Sequence, residues 1–428
     1  MRRRLLAVLL ALVWIAPAAH AQEAPHAFVG ARIVPIASAP IPEGVLIVQN
    51  GLIQAVGTAD AVAIPDDAVR HDVRGKVIMP GLVDTHSHVG SVSGGDRSAA
   101  LHPAVRTLDA INVRDPSMMR ARAGGITTVN VMSGSGHLMS GQTTYLKLRS
   151  GGTIDDLMVC DNPQTDICGG MKMANGTNPQ GDPPFPGTRA KAAAKARALF
   201  LKAQQYRAKL QSDDPPKRDL QMEALVEVLE GKRTVHFHTH RHDDIMTAIR
   251  LSQEFDFELV LHHVSEGWKV ADEIAAANVP ASIIVIDAPG GKHEADELVY
   301  RTGAVLEDAG ALVAYHTDDP ITDSRWFLRS AAFGVRAGMS RATALRSLTI
   351  NGAKMLNMAD NVGTLEQGKD ADFIVLSGDP LSVYTNVEQT WVEGQKVFDL
   401  SNPAHRKYAT GGYRVFEGTM HHIHGLTE

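Results

Sequence analysis

The run TVHFHTHRHDDIMTAIRLSQEFDFELVLHH, residues 234–263, decides how the chain folds. It opens on a strand-like stretch, 234–238, passes through a helix-forming stretch, 244–254, and closes on a second strand-like stretch, 259–263. That order is one strand–helix–strand unit. Working outward, 280–286 and 311–315 continue the series. The strand ends at His238, His263, near Ile286 and near His316 recur about every 23–30 residues, the length of one β–α unit. Upstream, Gly124-Gly125 opens a strand at 126–131, and the Ala- and Lys-rich segment 189–211 and segment 220–229 are strong helix formers. The region 82–355 therefore reads as a (β/α)8 TIM-like barrel, with a doubly wound sheet as the alternative.

Outside this region the grammar is all-β. Val45-Leu46-Ile47-Val48 and Leu52-Ile53-Gln54-Ala55-Val56-Gly57 flank Gln49-Asn50-Gly51, an Asn-Gly hairpin signal. Segments 372–376 and 389–398 have the same character near the other end. The expectation is a small composite β-sandwich built from both termini, residues 22–81 and 356–400, followed by a tail at 401–428. Residues 1–21 read as a signal peptide: Arg2, Arg3 and Arg4, a short apolar run, then Ala19-His20-Ala21 before the cleavage point. Its removal shifts the formal charge from −6 to about −9. A periplasmic or secreted protein is expected, with no stable membrane insertion after cleavage. The chain carries no basic block in its body, which argues against a nucleic-acid partner; a homo-oligomer is allowed. Cys160 and Cys168, the two cysteines, suit a short-loop disulfide in an oxidising compartment or two unpaired thiols.

Four histidine- and acid-bearing strand ends carry the chemistry. In Leu82-Val83-Asp84-Thr85-His86-Ser87-His88, the two histidines at i and i+2 leave one face of a strand, so both imidazoles can meet one cation. Within 234–244, His238 stands at the strand's C-terminal end, where barrel sites lie; His236 falls deeper and His240 just past the rim. Of His262 and His263, one should face inward and the other pack among helices, and His263 is nearer the end. Asp318, after the strand ending at His316, suits a group that orients an activated water and accepts its proton. Asp319, before Pro320, shapes the loop. His137, beyond the strand at 126–131, and His240 are placed to touch substrate. A His-rich, carboxylate-containing set takes zinc by default, as one or two divalent ions.

These pieces, with Val73-Arg74-Gly75-Lys76-Val77-Ile78-Met79-Pro80-Gly81-Leu82-Val83-Asp84-Thr85-His86-Ser87-His88 and Gly363-Thr364-Leu365-Glu366-Gln367-Gly368-Lys369-Asp370-Ala371-Asp372-Phe373-Ile374-Val375-Leu376, resemble the amidohydrolase superfamily over nearly the whole mature chain, particularly its imidazolonepropionase-like and prolidase-like branches. The resemblance implies a metal-dependent hydrolase that cuts a C–N bond in a small amide or peptide-like substrate, Xaa-Pro dipeptides included, with Asp318 as proton shuttle. It also implies a strand-borne lysine that is carbamylated into a bridging metal ligand. The match is Lys172 in Gly169-Gly170-Met171-Lys172-Met173-Ala174-Asn175-Gly176, although the Glu that relatives often carry shortly afterwards is absent. The implied ligand set is His86, His88, Lys172, His238, His263 and Asp318, and the loop 175–186 is the expected source of specificity. A deaminase or cyclic-amide hydrolase on the same scaffold is the alternative. A non-catalytic periplasmic metal-binding protein, suggested by His421-His422-Ile423-His424, is the alternative of another class.

Overall fold

A computed structural model of the protein describes residues 24–92, 94–285 and 292–412. The leader expected at 1–21 and the histidines at 421–424 lie outside the described residues. The strands run in the order β1 His26–Ile33, β2 Ile41–Gln49, β3 Leu52–Thr58, β4 Val69–Asp72, β5 Val77–Pro80, β6 Leu82–Ser87, β7 Ile126–Val131, β8 Met139–Gln142, β9 Thr144–Lys147, β10 Met171–Ala174, β11 Val235–Thr239, β12 Leu259–His263, β13 Ala281–Ile284, β14 Val313–His316, β15 Phe373–Leu376, β16 Val387–Val392 and β17 Gln395–Asp399. They form three ladders in a mixed α/β fold: β17-β16-β15-β5-β1-β2-β3 with β4 on β1, β14-β13-β12-β11-β10-β8, and β6-β7-β9.

The second ladder holds the series foreseen from 234–263. β10 to β14 pair in parallel, each with the next, and parallel neighbours need crossovers, which helices such as Arg189–Leu210, Leu220–Leu229 and His242–Phe255 supply. The first of these helices starts where the Thr188 side chain accepts from Lys191 N. Its buried face, Ala192, Ala196, Phe200, Ala203 and Tyr206, recurs every three or four positions. Phe200 stacks on Phe255 and Phe257 at 5.0 and 5.1 Å, which fixes that helix against its neighbour.

Among the described residues no ladder joins β6 to β14, so the strands are not hydrogen-bonded into a closed ring. At β6, Val83 N donates to Leu348 O at 2.9 Å rather than to a strand, and on the other side no ladder among the described residues joins β7 or β9 to β8 or β10. The two ends still meet beyond the strands, with Asp318 N donating to His86 O at 2.8 Å and His88 N to Asp319 O at 3.2 Å.

β5 pairs with β1 on one side and with β15 on the other, so strands from both ends of the chain share one sheet. Asn50 and Gly51 take φ of 51° and 79°, the double left-handed turn that the Asn-Gly pair favours. The run 389–398 divides into β16 and β17 about a second such turn at Glu393-Gly394, φ 49° and 72°. Phe28 packs edge-on against Phe373 and Trp391, with centroids at 4.8 and 5.1 Å. Fully buried Lys147 on β9 reaches Asp370 at 2.6 Å and Asp372 at 2.8 Å, fastening the third ladder to the C-terminal strands. Cys160 and Cys168 are joined as a disulfide, with Cα atoms 5.1 Å apart. No helix among the described residues is long and apolar enough to cross a membrane.

Candidate metal centre

Parallel pairing brings the strand ends into one layer. Lys172 lies beside His236, Ala174 beside His238 and His238 beside His262, while β6 delivers His86 and β14 leads into Asp318. Asp318 Oδ1 is 2.8 Å from His88 Nε2 and 3.3 Å from His86 Nε2, and Oδ2 is 3.9 Å from His263 Nδ1. The His263 ring lies 4.3 Å from that of His238 and 4.8 Å from that of His86. His86, His88, His238, His263 and Asp318 are thus gathered at one buried point.

Lys172 is not a surface lysine. It is completely buried, and its Nζ donates to His86 Nε2 at 3.2 Å. Burial pulls its pKa from 10.5 down to about 7, with Lys292 assisting and Asp318 opposing. His240 joins His238 and His263, with ring centroids 4.7 and 4.9 Å away, and its Nδ1 meets Ser265 Oγ at 2.7 Å. His137 does not join this group: its ring packs at 5.7 Å on His102 and 5.2 Å on Phe185.

The expectation that His262 packs outward among helices is corrected: both members of the pair point inward. His263 and Val264 adopt left-handed backbone, φ 71° and 52°, so the chain turns as the strand ends and the usual alternation of faces fails. His262 belongs to a deeper layer with His236 and His316. His262 Nε2 meets His236 Nδ1 at 2.9 Å, and His236 Nε2 meets the Tyr145 hydroxyl at 2.8 Å. His316 bridges the layers, with Nε2 3.3 Å from His263 Nδ1 and Nδ1 2.8 Å from Ser282 Oγ. His316 was legible as the i−2 neighbour of Asp318. Lys292 and Asn178 reach His238 Nε2 at 3.4 and 3.2 Å; Asn178 falls in the loop 175–186 expected to set specificity, whereas Lys292 carried no local signal.

Burial drives His86, His262 and His263 well below 6.5 and takes His236 and His316 to about 3; Lys172 adds to the effect at His86, His236, His262 and His316, and neighbouring imidazoles add to it at His263. Asp84 is fully buried and is pushed up to about 7 by that burial, while Thr317 donates to it from N and Oγ1 at 3.0 and 2.5 Å. Asp319 is a loop-builder: Oδ2 accepts from Ser324 N and Oγ at 2.9 and 2.7 Å, and Arg120 lies 3.3 Å from Oδ1.

The residues fit a divalent cation. His88 Nδ1–H donates to Met132 O at 2.6 Å, which leaves the other ring nitrogen to face the cluster. His86 Nε2 accepts from one ammonium and His238 Nε2 from another, so both present lone pairs inward. His88 Nε2 and Asp318 Oδ1 stand 2.8 Å apart, a separation that a shared cation or proton has to bridge. Two trios, His238/His240/His263 and His86/His263/Asp318, each keep their ligand atoms within 4.8 Å of one another.

Comparison with known proteins agrees with this geometry. Residues 235–398 match the model of the Amidohydrolase family. The chain is 33% identical to a crystallised amidohydrolase from Thermotoga maritima, with a TM-score of 0.81 over 87% of this chain and 99% of that one. It is 28% identical to amidohydrolase tasK of Hapsidospora irregularis over 84% of this chain, and spans 41% of that longer protein. It is 23% identical to an imidazolonepropionase of Treponema denticola over 83% of this chain and 92% of that relative. The ladder of strand-end histidines and the likeness over almost the whole Thermotoga structure place the chain in the amidohydrolase superfamily of hydrolases.

Proposed function

We propose that the protein hydrolyses a C–N bond in a small amide or peptide-like molecule, Xaa-Pro dipeptides among them, at the centre formed by His86, His88, Lys172, His238, His263 and Asp318. The observation that carries this reading is the pairing of lone-pair imidazole nitrogens with one buried carboxylate at the ends of separate strands. Zinc is the metal that best suits this donor set. A divalent ion held there supplies Lewis acidity, lowering the pKa of water and polarising a carbonyl.

The chain's own groups do the rest. Asp318 Oδ2 holds the attacking water and takes its proton, then returns it to the departing nitrogen. Its backbone, tied through Asp318 N to His86 O, keeps the carboxylate over the imidazoles. His240, braced by Ser265, holds the substrate carbonyl. His137, beside Phe185, contacts the rest of the substrate. Lys172, drawn by burial to a pKa of about 7, has a neutral amine fraction whose Nζ lone pair can add CO₂ and lose a proton, and the anionic carbamate would then serve as a metal ligand.

The same reading includes a (β/α)8 TIM-like barrel at 82–355, a composite β-sandwich from 22–81 and 356–400, and export to the periplasm or beyond after cleavage near residue 21. Likeness to the Treponema imidazolonepropionase favours a cyclic amide as the second substrate class. The decisive test is Asp318→Asn. It should lower turnover by about a thousandfold or more while metal content, read by elemental analysis, stays at the wild-type level. Retained turnover would remove Asp318 from its role.

A further inference from the structure

On the helix side of the β10–β11 pair lies a cavity of about 340 Å³, large enough for a small molecule. Met173 and Phe237, partners in the register of these two strands, form its floor. Successive strand residues point to opposite faces, so this floor is turned away from Lys172, His238 and the metal centre. Helix Arg189–Leu210 covers one side with Ala192, Ala193 and Ala196, and helix His242–Phe255 covers the other with Leu251. Side chains as small as these alanines leave the gap between the two helices unfilled.

Most polar groups around the cavity are committed. Arg189 Nε donates to Asp244 Oδ2 at 2.8 Å and Nη2 to Glu294 Oε2 at 3.2 Å. Arg197 donates to Glu254 at 2.7 Å, and Arg241 holds Asp243 through hydrogen bonds of 3.0 and 2.9 Å. Two groups remain. Asn175 is only 7% exposed; its Nδ2 donates to Asp244 O at 2.8 Å, which fixes the amide, and its Oδ1 has no hydrogen-bond partner among the described residues. Arg250 forms no ion pair among the described residues and donates to Thr247 Oγ1 at 2.8 Å, which draws its guanidinium back toward the N-terminal end of its helix. A buried acceptor left without a donor is costly, and such an orphan on a cavity wall marks where a ligand donor fits.

We propose that this cavity binds a free α-amino acid with an apolar side chain. The ammonium donates to Asn175 Oδ1, the carboxylate pairs with Arg250, and the side chain lies on Met173, Phe237 and Leu251. The carboxylates of Asp243 and Asp244, on the same wall, favour an ammonium over a hydroxyl as the donor. From Asp244 to Thr247 the helix rises about 4.5 Å, so the acceptor and the cation are close enough to be met by two groups on one carbon. The site does not depend on the chemistry at the metal centre.

The test is calorimetric titration of the metal-loaded full-length protein with L-leucine, L-methionine, L-phenylalanine and glycine. The carboxamide, the deaminated acid and the 2-hydroxy acid of each apolar amino acid are titrated alongside. The apolar amino acids should bind at one site per chain. Glycine and each analogue should bind about tenfold or more weakly than the parent, the range for losing a buried aliphatic side chain or a hydrogen bond to a charged group. Arg250→Met should weaken amino-acid binding by about tenfold or more, Arg250→Lys should recover part of the loss, and Ala193→Phe, which fills the space, should abolish binding. Melting temperature and metal content are checked for each variant. Arg250 is exposed, so its variants decide the outcome if Ala193→Phe does not fold. No binding by any apolar amino acid overturns the site, and so does binding that survives Arg250→Met at wild-type strength, which would place the amino acid elsewhere. A 2-hydroxy acid or glycine that binds as tightly as the parent overturns the assignment of the ligand as an apolar amino acid.

Discussion

Lys172→Met should make the metal-free protein more stable while abolishing its use as a ligand. Lys172 is wholly buried, and its pKa falls from 10.5 to about 7. Each tenfold change in a protonation equilibrium is worth about 1.4 kcal/mol, so holding the ammonium in the folded chain costs roughly 5 kcal/mol below pH 7. Methionine matches the stem and carries no charge. It forgoes the hydrogen bond to His86, worth about 1 kcal/mol, and it leaves a small volume difference. A net gain of about 2–4 kcal/mol is expected at pH 6. The sign with pH follows from the depressed pKa. The folded state binds fewer protons than the unfolded one between about pH 7 and 10.5, so wild-type stability rises through that window and the advantage of the variant closes. The assay is guanidinium unfolding of chelator-treated, CO₂-free protein at pH 6, 8 and 10. A variant less stable than wild type at pH 6, or a gap that does not narrow with alkali, would refute the reasoning.

Acid should unfold the metal-free protein steeply. His86, His236, His262, His263 and His316 all have folded pKa values below 6.5, so their contribution is present above that pH and is lost as pH falls toward about 3, while Asp84, pushed up to about 7, opposes in part. Unfolding midpoints at pH 7, 6, 5 and 4 check this, and a flat profile over that range would contradict it. Lys147→Met strands Asp370 and Asp372 without their buried cation and should cost about 3–5 kcal/mol in denaturant unfolding. Joint replacement of Cys160 and Cys168 by serine reopens a loop with a sequence separation of 8 and should cost about 2 kcal/mol, read as a lower unfolding midpoint under non-reducing conditions only.

Much of this protein is written locally. His86 and His88 alternate on one strand, His238 and His263 end theirs, and Asp318 follows another; each is a statement about periodicity two and about where a strand stops, which neighbours in sequence control. The Asn50-Gly51 turn and the helix Arg189–Leu210 are local for the same reason: left-handed backbone and a row of small residues are properties of a few consecutive positions. What the tertiary structure alone decided depends on groups far apart in sequence. That His262 faces inward with His263 required a left-handed bend at the strand's end, which no composition announces. That Lys172 is a buried amine and not a solvated one depended on residues distant in sequence, His86 and Met132, which pack within 3.2 and 3.1 Å of its Nζ. Lys292 and Asn178 meet at His238 across 114 residues of chain, a contact set by the packing of the segments that follow β10 and β13. The positions of the candidate ligands were therefore legible in the sequence, because they obey the geometry of a single strand. Their charges were decided by the fold, because burial and neighbours set them.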